Sequence, residues 1–179
     1  RPDGSLAFKL REGVKFHDNS PLTAEDVKFS LERLLDKEVA SPNAAKLVSV
    51  DPVELKDDLN LNIHTKEAAA PLLTFLTNSR TGTQILPKKA FTELGAEAFG
   101  RAPIGTGPYK FAKWTDGGPI MLEAFEDYFE GAPAIKSVEM PLIVEEASGV
   151  TALLGGQIDM TTTVPTADVA QLMQNPEVV

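Results

Sequence analysis

The chain has 179 residues, 42% of them hydrophobic and 24% charged, with a formal net charge of −9 and no cysteine. This is the composition of a folded globular domain, and its acidic balance disfavours phosphate backbones and anionic membranes as partners. Disulfides, thiolate metal sites and a cysteine nucleophile are excluded, and no apolar run approaches the roughly 18 residues of a membrane helix.

The chain opens on Arg1-Pro2-Asp3, without a methionine or signal peptide, and stops at Asn175–Val179 where an apolar strand is starting. The expectation is an internal piece of a longer protein. Leu6, Phe8 and Leu10 alternate with Ala7 and Lys9, predicting a half-buried strand. Arg11-Glu12-Gly13 reads as a turn, and Val14-Lys15-Phe16 resumes an extended pattern, so a hairpin or bent strand is expected. Thr23-Ala24-Glu25-Asp26 starts a helix, with Thr23 as cap and Asp26 completing a capping box. Ala24, Val27, Leu31, Leu34 and Leu35 share its apolar face, and Phe29 lies off that stripe, facing a second surface. Leu47–Leu55 and Leu59–Thr65 read as strands around an Asp57-Asp58 turn, with Pro52 arguing against a central place for the first.

Pro71 suits the first turn of a helix to Leu76. The polar stretch Thr77–Gln84 reads as a loop. Lys88–Leu94 reads as a short helix stopped by Gly95. Ile104-Gly105-Thr106-Gly107-Pro108 precedes a hairpin of Tyr109–Trp114 and Ile120–Ala124, turned at Asp116-Gly117-Gly118-Pro119. Val138–Val144 reads as a buried strand, Glu145–Leu154 as a helix stopped by Gly155-Gly156, and Ile158–Met160 as a short strand. Thr166 caps a last helix to Gln174. The fold class is α/β of the mixed α+β kind.

Few constellations carry chemistry. His17 and His64 are the only histidines, too few and too isolated for a zinc site, and His17-Asp18 reads as a loop histidine beside a turn aspartate. Asp57-Asp58, Glu123-Glu126-Asp127 and Glu145-Glu146 lie in turns and helix starts rather than in a buried catalytic pair. Gly105-Thr106-Gly107 lacks the spacing and lysine of a phosphate loop and precedes a strand, not a helix. Phe111, Trp114, Phe125, Tyr128 and Phe129 form an aromatic-rich region that suits a hairpin face packed on a core, with a ligand-stacking platform as the other use. No serine has a histidine and an acid at motif spacing. No catalytic residue, metal site or cofactor is expected.

Longer segments say more. Leu6-Ala7-Phe8-Lys9-Leu10-Arg11-Glu12-Gly13-Val14-Lys15-Phe16-His17-Asp18 resembles the signature of the family 5 bacterial extracellular solute-binding proteins, and Pro21–Arg33 continues it. Ile85-Leu86-Pro87-Lys88 and Pro103–Lys110 resemble further blocks of that family. So do Asp127–Pro133, where Phe125 and Phe129 replace a commoner arginine and tryptophan, and Ala152–Asp159. The blocks follow the family's order over nearly the whole chain.

The resemblance implies a first-lobe portion of a two-lobed periplasmic-binding-protein-like fold. Residues 1–102 would form the smaller subdomain, 103–167 the return into the main sheet, and 168–179 the start of a crossover to a second lobe. It implies the substrate-binding component of an ABC importer, capturing short peptides or related solutes outside the cytoplasm for a membrane permease, by capture rather than catalysis. The setting would be periplasmic or extracytoplasmic, with a lipid anchor possible in the full-length protein and no nucleic-acid partner. Arg80, Thr81 and Thr83, in the loop before Ile85, are the expected substrate-binding residues, because that loop reaches the cleft in relatives and an arginine fork grips a carboxylate. A non-transport sensing or structural domain of the same fold stays open beside this, as does a carboxylate-dependent hydrolase.

Overall fold

The computed structural model describes residues 5–66, 72–77 and 82–178. The chain forms two compact units, one taking in residues up to Lys113 with Met121–Val138, the other Trp114–Ile120 with the residues from Glu139 onward.

In the first unit, β1 (Leu6–Lys9) and β2 (Val50–Leu55) flank β3 (Asn60–Thr65) in a three-stranded sheet of order β1-β3-β2. Both pairings are antiparallel, with Leu6 opposite Ile63 and Phe8 opposite Leu61. The expected hairpin between β1 and Val14–Phe16 does not form. After Gly13 the chain instead closes a small loop on itself, through the Lys15–Pro21 bridge and the bond from Leu22 N–H to Val14 C=O. Phe16 is fully buried there. Pro52 lies on the edge strand β2, beside a register shift between Val50 and Val53, where a missing N–H costs least.

Helix α1 (Ala24–Leu35) covers this sheet. Ala24, Val27, Leu31 and Leu34 join Leu47, Val53, Leu61, Ile63 and Leu72 in one apolar core, with Leu35 packed at its margin. Ala44–Leu47 is a 3-10 turn and α2 spans Leu72–Thr77. Pro71, expected in its first turn, lies outside the described residues. Helix α3 (Lys88–Leu94) ends at Gly95 as expected, and a further helix α4 (Ala96–Arg101) follows immediately, with Gly95 between them at φ +79°. Phe29 meets Phe91 of α3, which in turn meets Phe99 of α4, with ring centroids 5.6 and 5.1 Å apart. The off-stripe phenylalanine thus serves a second, aromatic core.

A second sheet has the order β4-β5-β6, from Tyr109–Trp114, Ile120–Ala124 and Ser137–Met140. Of the expected aromatic face only Phe125 is buried, while Trp114 and Phe129 are exposed. Strand β6 stops at Met140, short of the expected Val144, because Pro141 offers no N–H and restrains its predecessor. Leu142 and Val144 are 68% and 85% exposed rather than buried. In the second unit, α5 spans Glu146–Leu154 and α6 Thr166–Leu172. Ile158–Met160 forms no strand, and Thr166 is the first helical residue of α6, with Pro165 at the cap position. No helix among the described residues is long and apolar enough to cross a membrane.

Candidate functional site

The loop expected to meet a ligand is built from helix α1 upward. Two polar residues on α1, Asp26 and Ser30, are 8% and 3% exposed. A buried carboxylate is costly unless its lone pairs are filled, and here they are. Asp26 Oδ2 accepts from the Thr23 N–H at 2.9 Å and the Thr23 hydroxyl at 2.8 Å. Its Oδ1 accepts from the Lys88 N–H at 2.8 Å. Lys88 opens α3, so one carboxylate serves the N-terminal ends of two helices, which also suits both dipoles. The Thr23 hydroxyl therefore donates to Asp26. Ser30 donates to the Asp26 carbonyl at 2.7 Å and accepts from the Leu86 N–H at 2.8 Å. Outside this pair, Lys88 Nζ reaches Glu25 at 2.6 Å, and that bond lowers the Glu25 pKa and raises that of Lys88.

The C-terminal end of that loop is also tied to α2. Thr83 is buried, its hydroxyl 3.4 Å from the carbonyls of Phe75 and Leu76 at the end of α2. Gly82 has φ +72°, and a Cβ there would come 3.1 Å from Asn43 Nδ2. Arg80 and Thr81 lie outside the described residues. Of the three expected ligand contacts, the structure therefore locates Thr83, at the buried root of the loop.

A second set of bonds fixes the glycine-rich crossover. The His17 N–H donates to Gly105 C=O at 2.9 Å. The His17 ring spans the same loop: Nδ1 accepts from Gly105 N–H at 3.2 Å and Nε2 lies 3.0 Å from Gly107 C=O. An amide can only donate and a carbonyl only accept, so the ring carries its hydrogen on Nε2. Phe125 meets the imidazole edge-on at 5.2 Å, and its own N–H donates to Pro108 C=O. Gly105-Thr106-Gly107 is thus gripped by a histidine. Asp18 folds its carboxylate back on Ser20 N–H and Oγ, as a turn aspartate does.

The acidic clusters also have structural employment. Asp57 accepts from Leu59 and Asn60 N–H, and the Leu59 bond is the largest cause of its lowered pKa. Asp127 pairs with Lys15, Glu126 with Lys136 and Glu123 with Lys110. Glu54 gathers Lys56, His64 and Asn62 on the hairpin surface, led by Lys56, and its pKa falls to about 2. Arg11 lies over the Phe129 ring at 4.9 Å and reaches Glu130. Among the described residues no group of three or more His, Asp and Glu side chains is placed to hold a metal ion. A depression of about 300 Å³ between Gly13–Thr23 and the Asp58-Leu59 turn has a mainly apolar lining.

The Asp26–Ser30 anchor is a structural feature that a search for apolar stripes passes over. Its signal is two polar residues four apart, each directly preceding a stripe residue, Val27 or Leu31.

The description "Bacterial extracellular solute-binding proteins, family 5 Middle" matches residues 1–179. The oligopeptide-binding protein AppA of Bacillus subtilis is 36% identical over 88% of this chain and 30% of its own length. The glutathione-binding protein GsiB of Pectobacterium atrosepticum is 30% identical over 96% of this chain and 33% of its own. Among solved structures, the binding protein AgaA of A. tumefaciens R10 in complex with agropinic acid superposes with a TM-score of 0.90 at 31% identity, over 98% of this chain and 35% of that one. AppA in complex with a nonapeptide superposes with a TM-score of 0.78 at 30% identity, over 94% and 34%. The chain thus spans about a third of the length of the relatives it matches.

Proposed function

Because the chain belongs to the family 5 bacterial extracellular solute-binding proteins, we propose that it is part of the substrate-binding component of an ABC importer, which captures short peptides and passes them to a membrane permease. The observation that carries this is the family match along residues 1–179, joined by the 36% identity to an oligopeptide-binding protein. The described residues fit a capture role. Asp26, Ser30 and His17 fasten loops, Asp127 pairs with Lys15 and Asp57 closes a turn. The setting we propose is periplasmic or extracytoplasmic, with a lipid anchor on the intact protein and no catalysis. Residues 1–102 and 103–167 belong to a first lobe in this reading, and 168–179 lead toward a second. Arg80, Thr81 and Thr83 are the proposed ligand contacts. Capture by lobe closure requires tighter binding to the closed state than to the open one.

Native mass spectrometry of the intact protein, gently purified, tests this. A short peptide released on denaturation is the expected result. A protein that carries no peptide and gives no calorimetric heat with a mixed synthetic peptide pool overturns the peptide reading. One second reading has its own support, the similarity to an agropinic acid complex at a TM-score of 0.90. It predicts binding of agropinic acid in place of a peptide.

A further inference from the structure

We propose that Asp26 and Ser30 are positioning residues for ligand capture: they set, from inside helix α1, where the 82–88 segment stands. The inference rests on the reading above that Thr83 in this segment, with Arg80 and Thr81 just before it, contacts ligand.

Three observations support it. First, the segment is short of bonds of its own kind, since residues 83–87 form neither helix nor strand. Such a stretch has no regular ladder to define its path, so its side-chain partners must do so. Second, the partners are rigid. Asp26 and Ser30 lie within a regular helix whose Ala24, Val27, Leu31 and Leu34 are locked in the core. Their polar atoms are almost wholly out of water, where a hydrogen bond is directional and costly to lose. Third, the bonds are spaced along the segment. Ser30 holds the Leu86 N–H and Asp26 the Lys88 N–H, at 2.8 Å each. Two anchors two residues apart fix orientation as well as position. Thr83 at the other end is held against α2, so the stretch between is spanned from both sides. Binding groups need placement to within about half an ångström, set by what supports them.

The bond chemistry points to distinct roles. Ser30 has its one hydrogen on the Asp26 carbonyl and a lone pair on Leu86 N–H. Alanine removes the acceptor and leaves the partly buried Leu86 N–H without this partner. Asp26→Asn keeps one amide oxygen and replaces the other with a donor. It therefore keeps one helix terminus and turns an N–H against the other.

The test uses the intact protein, with the tightest-binding member of a synthetic peptide pool as probe and agropinic acid as a second. Ser30→Ala is expected to weaken binding about fivefold, because a net hydrogen bond of about 1 kcal/mol then no longer selects the competent segment position. Hydrogen exchange at Leu86 should accelerate with it. Ser30→Thr, which keeps the hydroxyl, should restore affinity. Asp26→Asn provides an independent variant and should also weaken binding. Val53→Ala removes core volume in β2 and lowers stability without touching the segment, so it should leave affinity unchanged. Equal affinity of Ser30→Ala and the unmodified protein, or a loss shared by Val53→Ala, overturns the positioning role. Arg80→Ala separates the two levels. If it weakens binding while Ser30→Ala does not, the contacts are real and the positioning inference fails. If neither variant weakens binding, or the unmodified protein binds no probe, the underlying reading has failed and takes this inference with it.

Discussion

Replacing His17 with alanine should unfasten the Gly105–Gly107 crossover without emptying the main core. The imidazole makes two side-chain hydrogen bonds, to Gly105 N–H and Gly107 C=O, and an edge contact with Phe125. Each bond contributes a net ~0.5–1.5 kcal/mol, and the ring contact adds ~0.5–1.5 kcal/mol. Alanine should therefore cost about 2–4 kcal/mol, less any part recovered by water entering the space. The backbone bond from His17 N–H to Gly105 C=O survives the change, so the crossover loosens rather than detaches. Native-state hydrogen exchange reads this at one atom, since Gly105 N–H donates to the ring that is lost. Its exchange should accelerate on the order of a hundredfold at ~1.4 kcal/mol per decade. Nitrogen-15 chemical shifts of the unmodified protein should show the hydrogen on Nε2. His17→Gln can supply an amide to one of the two partners and should fall between. A stability loss below about 0.5 kcal/mol with unaltered exchange at Gly105 would refute the clamp.

Glu54 should titrate near 2 by carbon-13 NMR, because Lys56, His64 and Asn62 favour its ionised form. Its folded value lies below the ordinary 4.5, so its contribution to stability is complete above that value and is lost as pH falls toward 2. Glu54→Gln should flatten stability against pH within that window, and an unchanged slope there argues against the cluster. Gly95→Ala should destabilise by about 1–3 kcal/mol in denaturant titration, since φ +79° and ψ 161° between α3 and α4 suit glycine almost alone; a neutral result would mean that the helix pair can reorient. Phe99→Ala should cost about 3 kcal/mol, because Phe99 is buried against Phe91; urea titration followed by far-ultraviolet circular dichroism checks it, and an unchanged midpoint would count against the aromatic cluster.

The elements that local rules specify are those the sequence predicts well. Helix α1 has a capping box from Thr23 to Asp26 and an apolar stripe, and both appear in the fold. Leu59, Leu61 and Ile63 alternate, and β3 follows with Leu61 and Ile63 inward. Errors arise where a neighbour distant in sequence decides. Leu6–Lys9 looks ready to pair with Val14–Phe16, yet β3 offers a longer partner in register. Leu142, Ile143 and Val144 read as buried because they are apolar, but Pro141 ends the strand and these side chains face solvent here. Helix α4 escapes notice because Gly95, a sound stop for α3, also starts another helix at once. The candidate site is the least legible part. Thr83 is found at the loop's buried root, Arg80 and Thr81 lie outside the described residues, and the Asp26–Ser30 anchor is invisible to a reading that asks only which residues are apolar.

Four of the recognisable segments pair off into two contacts. Phe16-His17 meets Gly105–Gly107 through the imidazole, 88 and 90 residues away along the chain. Thr23–Ser30 meets Leu86–Lys88 through one carboxylate and one hydroxyl, across 56 and 62 residues. A glycine-rich loop or a helix start is by itself ambiguous, and the first of them superficially suggests a phosphate-binding loop. Paired, they leave little freedom, because changing the histidine or the aspartate strands a backbone N–H on the other segment. Segments locked in this way report the scaffold, and structures similar to this chain hold ligands as different as a nonapeptide and agropinic acid. In the proposed reading, solute choice then resides in side chains that the locks leave free to vary. Exchanging the 78–84 loop between two relatives of different solute, while keeping both locks, should therefore shift ligand preference with little loss of stability. A preference that stays with the scaffold would place selection outside this loop.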